Sequence, residues 1–204
     1  MTKDLAAPEN AKMGDCIFIK PDVLVSYQKE APNFPNKSTR PCCLVVADPK
    51  REGILWAVPI TSSSLDKYKS RARRSPWKYR FYQLKGNENC FNLSQMFPII
   101  QSDIKNVYIL KGKKVQINKT DFYDLNRTVS SILQKEGMLS HVSNIQAPTL
   151  LQMAERRLQM EQEHSRANSL AQQPDKAEEK QMSPKMKLQA QLAEKKKNEL
   201  HLHR

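Results

Sequence analysis

"RPCCLVVADPKREGILWAVPITSSS", residues 40–64, holds two apolar runs of strand length, Cys42 to Ala47 and Ile54 to Ile60. Between them Asp48-Pro49-Lys50-Arg51-Glu52-Gly53 supplies turn residues, so an antiparallel hairpin is expected. Arg40-Pro41 leads into the first strand, and the second ends in the hydroxyls of Thr61 to Ser64. Antiparallel pairing sets the entry of one strand beside the exit of the other. A permanent cation and several hydroxyls therefore meet at one end of the sheet.

Upstream, Gly14 to Lys20 (GDCIFIK) alternates as a strand and Pro21 stops it. Residues 21–41 hold four prolines and read as a short strand or helical turn followed by a long loop. Downstream, Lys78 to Leu84, Asn92 to Ile100 and Lys105 to Leu110 complete a set of short strands, with turns at Lys85-Gly86-Asn87 and Lys111-Gly112. Such spacing predicts a small, strongly bent antiparallel β-barrel within an α+β fold, occupying residues 12–140. From Asn118 the pattern changes: Phe122, Leu125, Val129, Ile132 and Leu133 recur at helical spacing. Asn118 suits the N-cap and Gly137 the stop, so an amphipathic helix should cover an open end of the barrel.

Beyond Pro148 the chain is rich in Leu, Met, Ala, Gln, Glu, Lys and Arg, and no aromatic residue follows Tyr123. Residues 149–204 are expected as a helix-prone, partly disordered extension too polar to make its own core. A chain ending at Gln146 should then fold alone. The other reading is a partner-binding or dimerising helix, since Leu150, Met153, Ala154 and Leu158 share a face.

Charge narrows the function. The chain of 204 residues carries +13, and residues 1–148 hold 23 Lys/Arg against 13 Asp/Glu. The excess thus lies on the part expected to fold, which favours nucleic acid as partner over an acidic protein or a membrane surface. Lys67 to Lys85 contains eight Lys/Arg and no acidic residue. In it Lys69, Arg71, Arg73, Arg74, Lys78 and Arg80 suit backbone phosphates, and Trp77 and Tyr79 suit stacking on unpaired bases. No helix-turn-helix or recognition-helix pattern is visible, so single-stranded RNA fits better than duplex DNA. The four cysteines include no C-x-x-C pair, and adjacent Cys42 and Cys43 point to opposite faces of a strand. They are expected as reduced, partly buried thiols. The N-terminus lacks an apolar signal region and no run of apolar residues is long enough to span a bilayer, so a cytoplasmic protein with no membrane partner is expected.

Absences restrict the chemistry. Three of the four histidines (His164, His201, His203) lie in the extension, leaving His141 alone before it. A two-histidine ribonuclease or a Cys–His nucleophile pair has no basis in such a chain. The metal and nucleotide motifs D-x-D, H-x-x-x-H and G-x-x-x-x-G-K-[ST] do not occur, so neither metal nor cofactor is expected. Arg, Lys, Ser, Thr and Tyr remain, and these can cleave RNA because RNA supplies its own 2′-OH nucleophile. Such a site must align that hydroxyl and stabilise charge on the phosphorane. Arg40 can clamp the phosphate oxygens, Thr61 and Ser62 can donate to a non-bridging oxygen, and Lys67 can add charge or move a proton.

The motifs GDCIFIK, RPCCLVVAD and LWAVPITSS resemble the MazF/PemK barrel of endoribonuclease toxins, an SH3-like fold. VPITSSSLDKYK together with NENCFNLSQMFPIIQSDIKNV is similar to the toxins of type III toxin–antitoxin and phage-abortive systems, the ToxN/AbiQ/TenpN group. The likeness covers residues 14–135. It implies that Arg40, Thr61 and Ser62 act on the scissile phosphate, and Tyr27 matches a tyrosine of the group near this place. The group carries Lys two residues after its Thr-Ser pair, where this chain has Ser64; the first Lys here is Lys67, with Lys69 as an alternative. The resemblance further implies metal-independent cleavage of RNA to 2′,3′-cyclic phosphate and 5′-OH ends. It also implies inhibition by a small pseudoknot-type antitoxin RNA, cut from a repeated precursor and bound in a toxin–RNA hetero-oligomer. Two readings stay open beside it: a non-catalytic RNA- or DNA-binding accessory protein of a mobile element, and a MazF-type toxin with a protein antitoxin.

Overall fold

Strand β1 (Cys16–Ile19) leads into helix α1 (Pro21–Glu30), and the hairpin read from residues 40–64 follows as β2 (Cys42–Ala47) and β3 (Leu55–Thr61). The structure is a computed structural model that describes residues 8–34 and 40–171. Residues 172–204 of the expected extension lie outside the described residues. Pro21 does end β1, but it also opens a helix of 10 residues where a short strand or single turn was expected. Its fixed φ and missing N–H cost nothing in a first helical turn.

After β3 come α2 (Leu65–Arg74), β4 (Tyr79–Leu84), β5 (Asn87–Asn92), β6 (Phe97–Ile99) and β7 (Ile104–Val107). A small hairpin, β8 (Ile109–Leu110) and β9 (Lys113–Lys114), precedes helices α3 (Lys119–Gln134), α4 (Met138–Val142) and α5 (Ala147–Ala171). The expected single strand Asn92–Ile100 is two strands divided by a turn at Leu93–Gln95. Local side-chain bonds explain the break: Ser94 Oγ donates to Asn92 Oδ1 at 2.7 Å, and Asn92 Nδ2 to Gln95 Oε1 at 2.8 Å.

The main sheet is antiparallel, in the order β4-β5-β3-β2-β1-β7, with β6 paired to β3. The order ends at β4 on one side and β7 on the other, and no pairing joins them among the described residues. The antiparallel sheet of the expected barrel is present, and no closure of it into a barrel is found among the described residues. Its bend is centred on β3, which changes partner along its length: Leu55–Ala57 pair with β6, and Ile60–Thr61 with β5. Pro59 sits at this fork. The neighbouring Ile60 N–H donates toward β2, to Pro41 O at 3.0 Å, so alternation directs the donor that Pro59 lacks toward the fork.

Both faces of the sheet are covered, which is why β2 reads as an uninterrupted apolar run. Cys43, Val45, Trp56 and Val58 pack on one side with Leu125, Val129 and Ile132 of α3. Cys42, Leu44 and Ala57 pack on the other with Val23, Leu24 and Tyr27 of α1. Helix α3 begins as expected, Asn118 Oδ1 accepting the Asp121 N–H at 2.9 Å. Gly137, with φ +72, starts α4 instead of terminating α3.

The expected extension enters the core. Ala147, Leu151 and Ala154 of α5 belong to the first cluster and Leu150 to the second. The packed unit runs to Met160, and residues from Glu161 form a second unit. Three further ties hold α5. Arg51 Nε donates to Glu155 at 2.5 Å, and Arg157 reaches both Asp103 (2.8 Å) and the Tyr27 hydroxyl (2.5 Å). Gly53, at φ +82, makes room for the third, because a Cβ there would lie 2.9 Å from the Leu158 side chain. No described helix is long and apolar enough to cross a membrane.

Cys16, Cys42, Cys43 and Cys90 are free and buried. Burial pushes the thiols of Cys16, Cys42 and Cys90 up to about 12 and that of Cys43 well above its usual range. A disulfide reagent at pH 8 is therefore expected to leave the native protein almost unlabelled and to modify all four thiols once urea unfolds it. The folded state keeps these protons longer than the unfolded chain. Stability should accordingly fall as pH rises from about 9 to about 12, as denaturant midpoints across that range would show. Rapid labelling of the native protein would contradict the packing described here.

Candidate active site

The β2–β3 register pairs Cys42 with Pro59 and so sets Arg40-Pro41 opposite Ile60 and Thr61. These residues form one wall of an open cleft of about 490 Å³, together with Ser62 and Ser63. The other wall comes from Phe18 on β1, Tyr108 just after β7, and Leu84, Lys85, Asn87 and Asn89 around the β4–β5 turn. Arg40, Thr61 and Ser62 are brought together as expected.

The hydroxyl end of the cleft is an ordered turn. Thr61 Oγ1 accepts the Ser63 N–H at 3.2 Å and lies 3.0 Å from Ser63 Oγ. This arrangement fixes the Thr61 rotamer and leaves Ser62 exposed. Ser64 follows at φ +57 and opens α2 without a side-chain cap. Among the described residues the lining side chains are cationic, hydroxyl, amide or apolar, with neither carboxylate nor imidazole. Such a site can hold a phosphate and stabilise added negative charge.

Lys67 and Tyr27 stand elsewhere. Lys67 is exposed on α2 and does not line the cleft. The cleft's lysine is Lys85, whose Nζ lies 3.5 Å from the centre of the Tyr108 ring. Tyr27 is fully buried; its hydroxyl donates to Pro98 O at 2.6 Å and accepts from Arg157. Burial raises its phenol well above the ordinary range, and its hydroxyl is held in hydrogen bonds within the core. The expectation that Tyr27 shares the site is corrected by this placement.

The basic stretch divides. Arg71, Arg73 and Arg74 are exposed at the end of α2, a helix with no buried residue, whose partly buried Leu65, Tyr68 and Ala72 recur at helical spacing. Its cations gather in the last turn, where the helix dipole favours them. Lys69 is paired with Glu88 at 2.5 Å, a bond that raises its pKa. Trp77 is exposed and lies against His141, ring centres 5.8 Å apart. Lys78 donates to Asn144 at 3.0 Å. Tyr79 is buried against Tyr68, and Arg80 is occupied by Pro76 O (2.6 Å) and Asp124 (3.7 Å). Tyr79 is thus part of the core, and Arg80 is partly exposed with these partners.

Lys85 and Tyr108 were not singled out by sequence reasoning. Lys85 read only as a turn residue, and its meeting with Tyr108 is a long-range event that no local pattern announces.

No protein-family model matches the chain, and no curated protein matches it. Among solved structures, that of AbiQ, described as a lactococcal anti-phage endoribonuclease belonging to the type-III toxin–antitoxin system, aligns with a TM-score of 0.57. The alignment covers 71% of this chain and 98% of AbiQ at 14% sequence identity. The chain is a structural neighbour of AbiQ and shares its fold across almost the whole of that protein.

Proposed function

We propose that this chain is the endoribonuclease toxin of a phage-abortive toxin–antitoxin system, cutting single-stranded RNA without a metal ion. The observation that carries the reading is the cleft that joins Arg40 to the ordered Thr61–Ser63 turn. The fold shared with AbiQ supports it.

RNA bound there would present its scissile phosphate between the guanidinium and the hydroxyls. The 2′-OH attacks in line, the P–O5′ bond breaks, and the products are a 2′,3′-cyclic phosphate and a 5′-OH. Arg40 holds two phosphate oxygens and offsets the charge gained by the phosphorane. Thr61, held in its turn, and the exposed Ser62 donate to a non-bridging oxygen. Rate is gained through alignment and charge stabilisation, not through a paired acid and base. The type-III system of AbiQ supports an antitoxin that is itself RNA, and the exposed cations of α2 offer a surface along which either RNA can extend.

Purified full-length chain should cut a mixed-sequence RNA in excess EDTA at the rate seen without it. The new 3′ ends should resist phosphatase until acid opens the cyclic phosphate, and the new 5′ ends should accept phosphate from a polynucleotide kinase. Activity that appears only with added divalent cation would reject the mechanism.

The division of labour gives a second test. Changing Arg71, Arg73 and Arg74 together to Ala should weaken RNA binding at every sequence. The slope of log K against log salt should fall by about 0.7 for each phosphate that is no longer neutralised. The cleavage rate at saturating RNA should hold. Normal binding with slow cleavage would place these arginines in the chemistry instead.

A further inference from the structure

The second wall of the cleft has a feature that phosphate binding does not use. Phe18 and Tyr108 meet edge to face, ring centres 5.3 Å apart, and both are only partly buried. In β1 the residues on either side of Phe18, Ile17 and Ile19, are buried, so alternation brings Phe18 out on the cleft side. Tyr108 is held at both ends of its peptide unit: its N–H donates to Cys16 O at 2.7 Å, and its carbonyl accepts the Val115 N–H at 2.9 Å. One side of the Tyr108 side chain packs on the core, while a ring face carries the Lys85 ammonium at 3.5 Å.

An aromatic face on a fixed backbone, opening into the cleft that also holds Arg40 and the hydroxyl turn, is what an unpaired base stacks on. A cation over that face is held by the ring quadrupole, a weaker hold than a phosphate gives it. Lys85 sits on a two-residue turn whose backbone is set by β4 and β5, so its side chain can swing while its Cα stays in place.

We propose that Phe18 and Tyr108 form the stacking platform for the base beside the scissile phosphate, and that Lys85 covers this platform until a base displaces its ammonium onto the phosphate. This assignment rests on the RNA-cleaving reading above. It makes Lys85 the second cation of the site and makes base binding and phosphate neutralisation a single event.

The test uses the full chain and a probe it cannot cut, a mixed-sequence 2′-O-methyl oligoribonucleotide with 2-aminopurine at its centre. Binding should quench the 2-aminopurine fluorescence. Tyr108→Leu should abolish the quench and weaken affinity by about fivefold or more. Tyr108→Phe, which keeps the ring face, should retain the quench. Lys85→Gln, on an exposed turn, should keep the quench but lower the salt slope by about 0.7, the share of one phosphate on a single strand. Unchanged quenching in Tyr108→Leu would overturn the platform and leave the endoribonuclease reading standing. An unchanged salt slope in Lys85→Gln would overturn the transfer of the ammonium. If the unaltered chain binds no probe, both the platform and the RNA reading fail. A Tyr108-dependent quench in a chain that cuts no RNA would leave the platform standing and reject the nuclease.

Discussion

Replacing Arg40 by Ala is expected to slow RNA cleavage by at least about a hundredfold, and Thr61→Ala with Ser62→Ala should do the same. A preorganised donor to charge that develops in the transition state contributes about 3 kcal/mol, and a hundredfold corresponds to about 2.7 kcal/mol. Arg40 and the hydroxyl turn both lie at strand ends, outside the two buried clusters, so thermal melts should match those of the parent chain. Lys67→Ala is the control: it sits on exposed α2, away from the cleft. At saturating RNA its cleavage rate should stay within about twofold of the parent, well inside the ~1.4 kcal/mol that a tenfold change requires. Single-turnover assays separate these outcomes. A fully active Arg40→Ala chain would remove the cleft from the chemistry, and a dead Lys67→Ala chain would move the site onto α2.

The second large effect belongs to α5. A chain ending at Gln146 is expected not to fold, contrary to what the polar composition of residues 149–204 indicates. It would lose Leu150, Leu151 and Ala154 from the two cores and Arg157 from its buried partners. Single substitutions divide the effect. Leu150→Ala should cost about 2–5 kcal/mol through the cavity it leaves. Arg157→Ala leaves the Asp103 carboxylate, 4% exposed, without its cation and should cost about 3–5 kcal/mol. Either is a large part of a typical stability of about 5–15 kcal/mol. Urea unfolding of the two variants measures this directly. A stable, active chain ending at Gln146 would show that α5 decorates the fold without supporting it.

What could be read beforehand follows a physical rule. The β2–β3 hairpin and its Arg40–Thr61–Ser62 end were legible because strand alternation, a turn and the order of residues are all local signals. Helix α3 was legible because its buried stripe recurs at helical spacing and Asn118 caps it. Helix α2 was not, since only Leu65, Tyr68 and Ala72 hold its helical spacing among many cations, and none of the three is buried. Helix α5 was legible as helix-prone, but its place in the core was not: its face is narrow, mostly Ala and Leu among charges, and its anchor Arg157 looks like any surface arginine. Tyr27 was misplaced because a tyrosine in a Pro-rich segment gives no sign that its hydroxyl will meet Pro98 and Arg157 in the interior. The role of Lys85 depends on Tyr108, and only the folded sheet puts them in one cleft.

Helix α5 belongs to both cores and is the last described element to be synthesised. Arg40, Thr61 and Ser62 leave the ribosome roughly a hundred residues before the helix that completes both packing faces, which at about 5–20 residues per second is a delay of some seconds. Until then the cleft residues are present as chain but not as an assembled cleft. If the chain is the nuclease proposed above, prematurely terminated products that lack α5 should therefore be harmless to the cell making them.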